Sequence, residues 1–422
     1  IWSLAARPVR DPRRGVLRAV QGRPREHLPR LPAVGHGRRV LRRLLREGRG
    51  VLRREQRTCR PHAAGGRTAH SPRRHVARAG VLLSADGFRH QAGGSSGLFR
   101  MILSVVIPVQ NDPDGLSAVL AQARAIPQVA QIVVCDDASD PAIDPALPAL
   151  AGPGGAPVEL IRNDRVLGAG AARNRAFDRV TGSHVLFLDA DDALEPDLAR
   201  LIARLDATPF DFCMFQHNES RVPGGAGLFP RDAALWAQAG ADHVFGPVPR
   251  AGLPVLATVA AYPWNKIYRT AFLRDNAIGC GTTRVHNDIA LHWKGFVMAD
   301  TVLTCRWRCV THRVAESRPH LTRRAGAERL QVFEALDRVL DWLDATQDAV
   351  DRPETWRTQF LRFAVDLILW ARDRVEPAHL DRFDRCHADF LQRRVSPAAF
   401  ARLSRADPGT AARLLDTVLE RT

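Results

Sequence analysis

Three carboxylates, Asp189, Asp191 and Asp192, fall within four positions, directly after the apolar run 185–188. A buried strand that runs into clustered carboxylates needs something to neutralise them. Carboxylates alone are hard oxygen ligands, suited to Mg²⁺ or Mn²⁺ with a phosphate completing the shell. Strand ends in α/β sheets are also where ligands bind. Asp caps helices too, so the same run fits a strand followed by an acidic helix start. A second acidic pair, Asp136-Asp137, closes the apolar run 131–135. In a parallel sheet all strand C-termini lie on one edge, so the two clusters are expected to face one crevice. The small residues of 168–172, just before Arg173, would bring backbone N–H groups and one guanidinium to that edge. Close helix–sheet packing explains those small residues equally well. Carboxylates for a metal together with an Arg for phosphate describe a nucleotide-diphosphate site.

The elements that must position these groups are legible from Met101 onward. LSVVIPV (103–109) is a near-continuous apolar run, as expected of a strand buried on both faces. Asp112 or Asp114 can cap a helix with Leu116, Val119, Leu120 and Ala123 on one face. Further strands are expected at 131–135, 158–162, 184–188 and 210–215, with helices at 173–180 and through Leu194, Leu198, Leu201 and Leu205. This alternation predicts an α/β fold with a mostly parallel, Rossmann-like sheet and flanking helices. Residues 217–261 are rich in Gly and Pro and read as a loop-rich insertion. After residue 313 the apolar spacing becomes helical: Leu330, Phe333, Leu336, Leu340 and Leu343, then Trp356, Phe360, Phe363, Ala364, Leu367 and Ala371. A helical C-terminal subdomain over 314–422 is expected, packed on the sheet. Its Arg residues suit a solvated face or peripheral membrane contact.

The net charge of +16 over 422 residues misleads until it is mapped. The first hundred residues hold 24 Arg, no Lys and five acids, a net +19 that leaves −3 for 101–422. That leader lacks both an apolar period and a signal-peptide core. A short basic helix over 40–52 is the one local signal. An Arg-rich arm of this kind can bind nucleic acid or anionic lipid. GC-rich DNA read in a wrong frame gives the same Arg/Gly/Pro/Ala text, and the break at Met101 favours that reading. Residues 1–100 are therefore expected to be disordered or a mis-called start, and 101–313 to form the catalytic domain. Seven cysteines, an odd number without a CxxC pair, suit a reducing cytosol. Cys135 and Cys213 read as core, and Cys305, Cys309 and His312 lack a second pair for zinc. No apolar run approaches the ~18–20 residues needed to span a bilayer.

The ordered motifs SVVIPVQND, VVCDDASD, GAGAARNRAF, HVLFLDADDALEPD and YPWNKIYRTAF…HNDIALHW resemble family 2 glycosyltransferases of the GT-A fold, over about residues 101 to 312. The resemblance implies inverting transfer of a sugar from a nucleotide-diphosphate donor, a UDP-sugar being favoured, with Mg²⁺ or Mn²⁺. It places Pro108 and Asn111 by the donor base and ribose, and Asp137 on the base imide, with Asp136 shaping the turn. It implies that Asp189 faces the ribose or a metal-bound water and that Asp191 ligates the metal. Asp192 would support either or cap the next helix. Arg173 and Asn174 would line the donor pocket, and Lys266 would sit near acceptor or phosphates, unless it is a snorkelling surface lysine. Relatives often place Glu-Asp where this chain has Asn287-Asp288, so the resemblance carries the catalytic base over to Asp288 and leaves the acceptor class open. His292 and Trp293 suit either an acceptor wall or the core, and His312 matches a late metal or phosphate ligand.

The expected partners are a nucleotide-sugar donor and a sugar- or lipid-linked acceptor, in the cytoplasm or at the inner face of the membrane. Three readings compete. A sugar nucleotidyltransferase would need a Gly/Arg-rich loop with Lys after the first strand, where this chain has Gln110-Asn111-Asp112-Pro113. A nucleic-acid-binding protein rests on the leader alone, and the remainder gives it little support. A degenerate transferase that binds donor without turnover is opposed by the retained Asp137, Asp189, Asp191 and Asp288.

Overall fold

The computed structural model describes residues 101–419 other than 153, 207, 225–226 and 314–324. The Arg-rich leader, with the helix expected over 40–52, lies outside the described residues. Among those described are β1 (Leu103–Val109), β2 (Val129–Asp136), β3 (Val158–Arg162), β4 (His184–Phe187), β5 (Ala193–Leu194), β6 (Phe212–Glu219), β7 (Phe245–Pro247), β8 (Lys266–Arg269) and β9 (Val302–His312). They form one mixed sheet in the order β3-β2-β1-β4-β8-β6-β9-β5, with β7 also on β9. β1 to β4 pair in parallel, as do β6 and β9. β8 runs antiparallel between β4 and β6, and β5 and β7 run antiparallel to β9.

The strands expected from the sequence are present, with the last shifted to Phe212–Glu219. The four that were not foreseen have weak local signals. β5 and β7 are two and three residues long. β8 is the short polar-flanked KIYR. In β9 the apolar run is broken because the register with β6 jumps from Phe215↔Cys305 to Gln216↔Arg308, which ejects Arg306 and Trp307 as a bulge.

β1 is buried on both faces as expected, and its side chains alternate between two cores. Leu103, Val105 and Ile107 pack with α1 (Pro113–Arg124) and α3 (Asp197–Leu205). Val106 packs on the opposite face with Ala172 and Ala176 of α2 (Ala169–Phe177). Helix α1 buries Leu116, Val119, Leu120 and Ala123, and the Asp112 side chain caps it by accepting from the Gly115 N–H at 3.0 Å. Residues 217–261, read as loop-rich from their Gly and Pro content, are about half loop, and the rest is ordered. They hold the end of β6, α4 (Pro230–Gln238), β7 and a one-turn helix at Leu253–Leu256, with Leu235, Trp236 and Leu256 buried. Pro here starts helices rather than interrupting them, because the first helical turn has no N–H to lose.

After α5 (Ile289–Met298) and β9, the chain ends in α6 (Gln331–Ala345), α7 (Pro353–Arg372), α8 (Pro377–Arg394), α9 (Pro397–Ala406) and α10 (Pro408–Leu419). The predicted stripes are the buried ones: Phe333, Leu336, Leu340 and Leu343 of α6, and Trp356, Phe360, Phe363, Ala364, Leu367 and Ala371 of α7. One apolar core runs from Val133 and Phe212 of the sheet through Trp293 and Phe296 of α5 into Leu336, Phe360 and Phe363. Each such fully buried side chain contributes roughly 1.5–3 kcal/mol relative to exposure, so the helices and the sheet are held as one body. Several Arg side chains of this region tie helix to helix: Arg393 and Arg394 on Asp337, and Arg372 on Asp384. No helix among the described residues is long and apolar enough to cross a membrane.

Candidate active site

The two acidic clusters do lie at the C-terminal ends of β2 and β4, the parallel strands on either side of β1, but they do different work. At the end of β2 the Asp136 carboxylate accepts from the backbone N–H groups of Ser139 (2.8 Å) and Ile143 (3.3 Å) and pairs with Arg162. These hydrogen bonds hold its carboxyl below the ordinary value despite burial, so Asp136 shapes the turn as expected. Asp137 is 3 % exposed, and its carboxylate accepts from Asn163 Nδ2 (2.8 Å), Leu167 N (2.9 Å) and Gly168 N (2.7 Å), which ties it to the loop that enters α2. Pro108 is buried within β1, opposite Cys135. Asn111 is exposed, in the left-handed region at φ 56°, and its Oδ1 accepts from Asp140 N at 2.8 Å, tying the β1 exit to the β2 exit.

Helix α2 carries the residues that dock a distant loop. Gly168 enters it at φ 95°, a conformation that favours Gly. A Cβ at Gly170 would overlap the Gly281 carbonyl oxygen and come within 2.6 Å of Asn287 Cβ. The small residues of 168–172 thus allow close approach to loop 279–288. Asn174 binds the same loop through both ends of its amide, to Cys280 O (2.9 Å) and from Cys280 N (2.8 Å). It holds that loop and is absent from the cleft wall where it was expected. Arg173, 4 % exposed, donates to Asn287 Oδ1 at 3.0 Å and pairs with Asp189, so one guanidinium links the end of β4 to the Asn287-Asp288 loop. Asp189 and its Coulomb field hold Arg173 fully charged despite burial. Gly170→Ala is therefore expected to destabilise the fold by about 1–3 kcal/mol through overpacking against backbone, outweighing the helix propensity gained. Thermal unfolding of the variant checks this.

At the end of β4, ligand atoms of Asp189, Asp191 and Asp192 lie within 4.8 Å of one another, among the described residues the one group of this kind able to hold a metal ion. The pairing of Ala193 in β5 with Thr311 in β9 sets residue 192 beside residue 312. His312 Nδ1 accordingly lies 2.8 Å from Asp192 Oδ1, which also accepts from Arg313 N at 3.3 Å. The other Asp192 oxygen is buried without a hydrogen-bond partner. Burial, then the charges of Asp189 and Asp192, push Asp191 up to about 7, with His312 opposing. These carboxylates fit a divalent cation: their chemistry is all oxygen, and one buried oxygen lacks a donor. Cys305 and Cys309 take no part, being buried in β9 among apolar side chains.

A cleft of about 170 Å³ opens beside this cluster, and its walls include Arg173, Asp189, Tyr262, Trp264, Asp288 and His312. Asp288 stands at the start of α5 without capping it. Burial raises its carboxyl to about 6, Asp189 adds to this, and Arg173 and Lys266 oppose it. Tyr262 stacks on Trp264 (centroids 4.5 Å apart), which stacks on His312 (5.0 Å), giving the cleft an aromatic wall. Lys266 is fully buried rather than snorkelling, with Nζ donating to Tyr262 O (2.6 Å) and Asn265 Oδ1 (2.7 Å). Burial lowers its ammonium to about 7, with Asp288 and Asp232 pulling the other way. It supports the segment carrying Tyr262 instead of lining the cleft. His292 is a core residue, its Nε2 2.9 Å from Ala257 O, and Trp293 packs on Phe360. The far wall is closed by Phe363 and Leu367, foreseen only as core, and by Arg329 and Trp370, for which there was no local signal. Tyr262 and Trp264 lay within a quoted motif, so only their role was unread.

A family model for glycosyl transferase family 2 matches residues 104–227, which carry Asp136, Asp137, Arg173 and the Asp189–Asp192 run. The succinoglycan biosynthesis protein ExoO of Rhizobium meliloti (strain 1021) is 35% identical over 107 residues, covering 25% of this chain and 30% of that protein. The match thus spans about a third of the relative's length. Among solved structures, S. aureus TarS 1-349 aligns with TM-score 0.56 and 18% identity, over 75% of this chain and 89% of that one. The same TarS fragment in complex with UDP-GlcNAc aligns with TM-score 0.53 and 19% identity, over the same shares of 75% and 89%. The mixed sheet with its flanking helices has the GT-A fold of these structures, and residues 104–227 match glycosyl transferase family 2.

Proposed function

We propose that the protein transfers a glycosyl group, with inversion, from a nucleotide-diphosphate sugar to a hydroxyl of a sugar- or lipid-linked acceptor. The observation that carries this reading is the shared cleft: Asp189 of the acidic cluster and Asp288 line the same walls. A UDP-sugar is the first candidate donor, as the fold neighbour TarS has been crystallised with UDP-GlcNAc. Surface polysaccharide synthesis on the cytosolic side is the setting we favour, ExoO being a succinoglycan biosynthesis protein.

In this reading Asp189, Asp191 and Asp192 hold Mg²⁺ or Mn²⁺, which when bound supplies positive charge against the leaving diphosphate. Asp288 takes the proton of the acceptor hydroxyl, its raised pKa placing it closer to neutrality than an ordinary carboxylate. Arg173 keeps Asp189 and Asn287 in register, so the acidic edge and the base keep a fixed spacing. Tyr262 and Trp264, stacked on each other in the cleft wall, exclude water.

The test is a thermal-shift panel of UDP-, GDP-, dTDP- and CMP-sugars, each with Mn²⁺ or EDTA. One nucleotide class is expected to stabilise the protein only with metal. A folded protein that shifts with none of them overturns the donor assignment.

A further inference from the structure

We propose that the α7 side of the cleft is a subsite for a hydrocarbon group that the acceptor carries within a few bonds of its reacting hydroxyl. This rests on the transferase reading above and specifies its acceptor. Phe363, Leu367 and Trp370 lie four and then three residues apart on α7, so they share one helix face, and all three line the cleft. Val285 and Ile289, on the segment that carries Asp288, line the same cleft. Val285, Ile289, Phe363 and Leu367 have no polar side-chain atom. Two polar residues also reach the α7 side. Arg329 is 1 % exposed and its guanidinium lies 4.9 Å from the Trp370 ring centroid, so it is packed on the indole. His286 stands edge-on to the same ring at 6.1 Å. Burial, then the charge of Arg329, lower its pKa to about 3, so it meets the cleft as a neutral ring.

The acidic edge supplies a different kind of wall. Asp189, paired with Arg173, and His312, 2.8 Å from Asp192, line the cleft there. The cleft therefore combines a charged wall suited to metal and diphosphate with an apolar one on α7. Ile289 follows Asp288 directly, so the apolar wall is continuous with the base. Apolar surface that water wets is stabilised by apolar surface that covers it, in proportion to the area covered. A fully hydroxylated group placed there would leave hydroxyls against Val285, Ile289, Phe363 and Leu367 without partners, at a cost in free energy. The occupant that fits is an alkyl or aryl group. The apolar wall and Asp288 share a cleft of about 170 Å³, so the hydrocarbon and the reacting hydroxyl belong to one small unit of the acceptor.

The test is calorimetric titration of the full chain in EDTA with 1-hexanol, benzyl alcohol, glycerol and glucose. The two apolar alcohols are expected to bind, with a negative heat-capacity change and little dependence on salt, and the two polar compounds are not. Binding by hexanol alone identifies an alkyl-bearing acceptor, and binding by benzyl alcohol alone an aryl-bearing one. Leu367→Asn, which keeps the size but makes the wall polar, should weaken binding about fivefold or more, while Leu367→Met keeps most of it. Val285→Thr, which keeps the shape and adds a hydroxyl, should weaken it to a smaller degree and carries the test if Leu367→Asn does not fold. Failure of both apolar alcohols to bind, binding by glycerol or glucose as tight as theirs, or unchanged affinity in the folded variants, overturns the subsite. Mn²⁺-dependent nucleotide-sugar binding measured on the same preparation separates the two ideas. Donor binding without alcohol binding removes only the subsite, and alcohol binding without donor binding removes the transferase reading.

Discussion

Asp288→Asn is expected to reduce turnover by roughly 10²–10⁴-fold, the usual worth of a positioned general base, while donor binding and thermal stability stay near native. The amide has the carboxylate's shape but cannot take a proton. The wild-type rate should rise with pH through about 6, where the Asp288 carboxyl ionises, because only the carboxylate acts as base. The variant should lose that acidic limb along with the rate. A purely structural role for Asp288 would leave the limb in place and show itself as lost stability. Near-native turnover by Asp288→Asn with its true acceptor would remove Asp288 as the base, leaving the acidic edge of the sheet untouched.

Asp191→Ala is expected to abolish metal-dependent donor binding and transfer, and to raise the thermal stability of the metal-free protein. The two effects have one origin. Three carboxylates share a half-buried edge, and burial with like charge pushes Asp191 up to about 7. A group whose folded pKa exceeds its unfolded value contributes stability that is full below the unfolded pKa and is lost as pH rises through the folded one. Without metal the protein should therefore lose stability between about pH 4 and pH 7, by an amount on the order of a few kcal/mol at most. Mn²⁺ binds the ionised carboxylates, so it should stabilise more strongly above pH 7 than below. In Asp191→Ala the pH dependence should flatten and the Mn²⁺ shift should vanish. Thermal unfolding from pH 4 to 8, with Mn²⁺ or EDTA, reads both. A variant that keeps its Mn²⁺-dependent donor shift would show that Asp191 is not a ligand.

The sequence by itself determined the parallel core of the sheet, because strands buried on both faces leave near-continuous apolar runs such as 103–109 and 185–187. It also placed the Asp189–Asp192 carboxylates at the end of a buried strand, because the apolar run and the acidic residues are adjacent in the chain. The amphipathic stripes of α6 and α7 were legible because burial imposes a period. Tertiary structure decided everything that depends on which segments meet. β8 is inserted antiparallel between β4 and β6 through pairings that no local pattern encodes. Asp137 and Asn174 each hydrogen-bond a loop distant in the chain, since a side chain's hydrogen-bond partners arise from packing rather than from its own spacing. Lys266 is buried beneath the Tyr262 segment, although a lone lysine reads as a surface group. His312 reaches Asp192 only because β5 pairs with β9. The far wall of the cleft brings Arg329 and α7 against loop 284–289, forty or more residues away in the chain, by docking a helical region whose sequence specifies an apolar face but not the surface it covers.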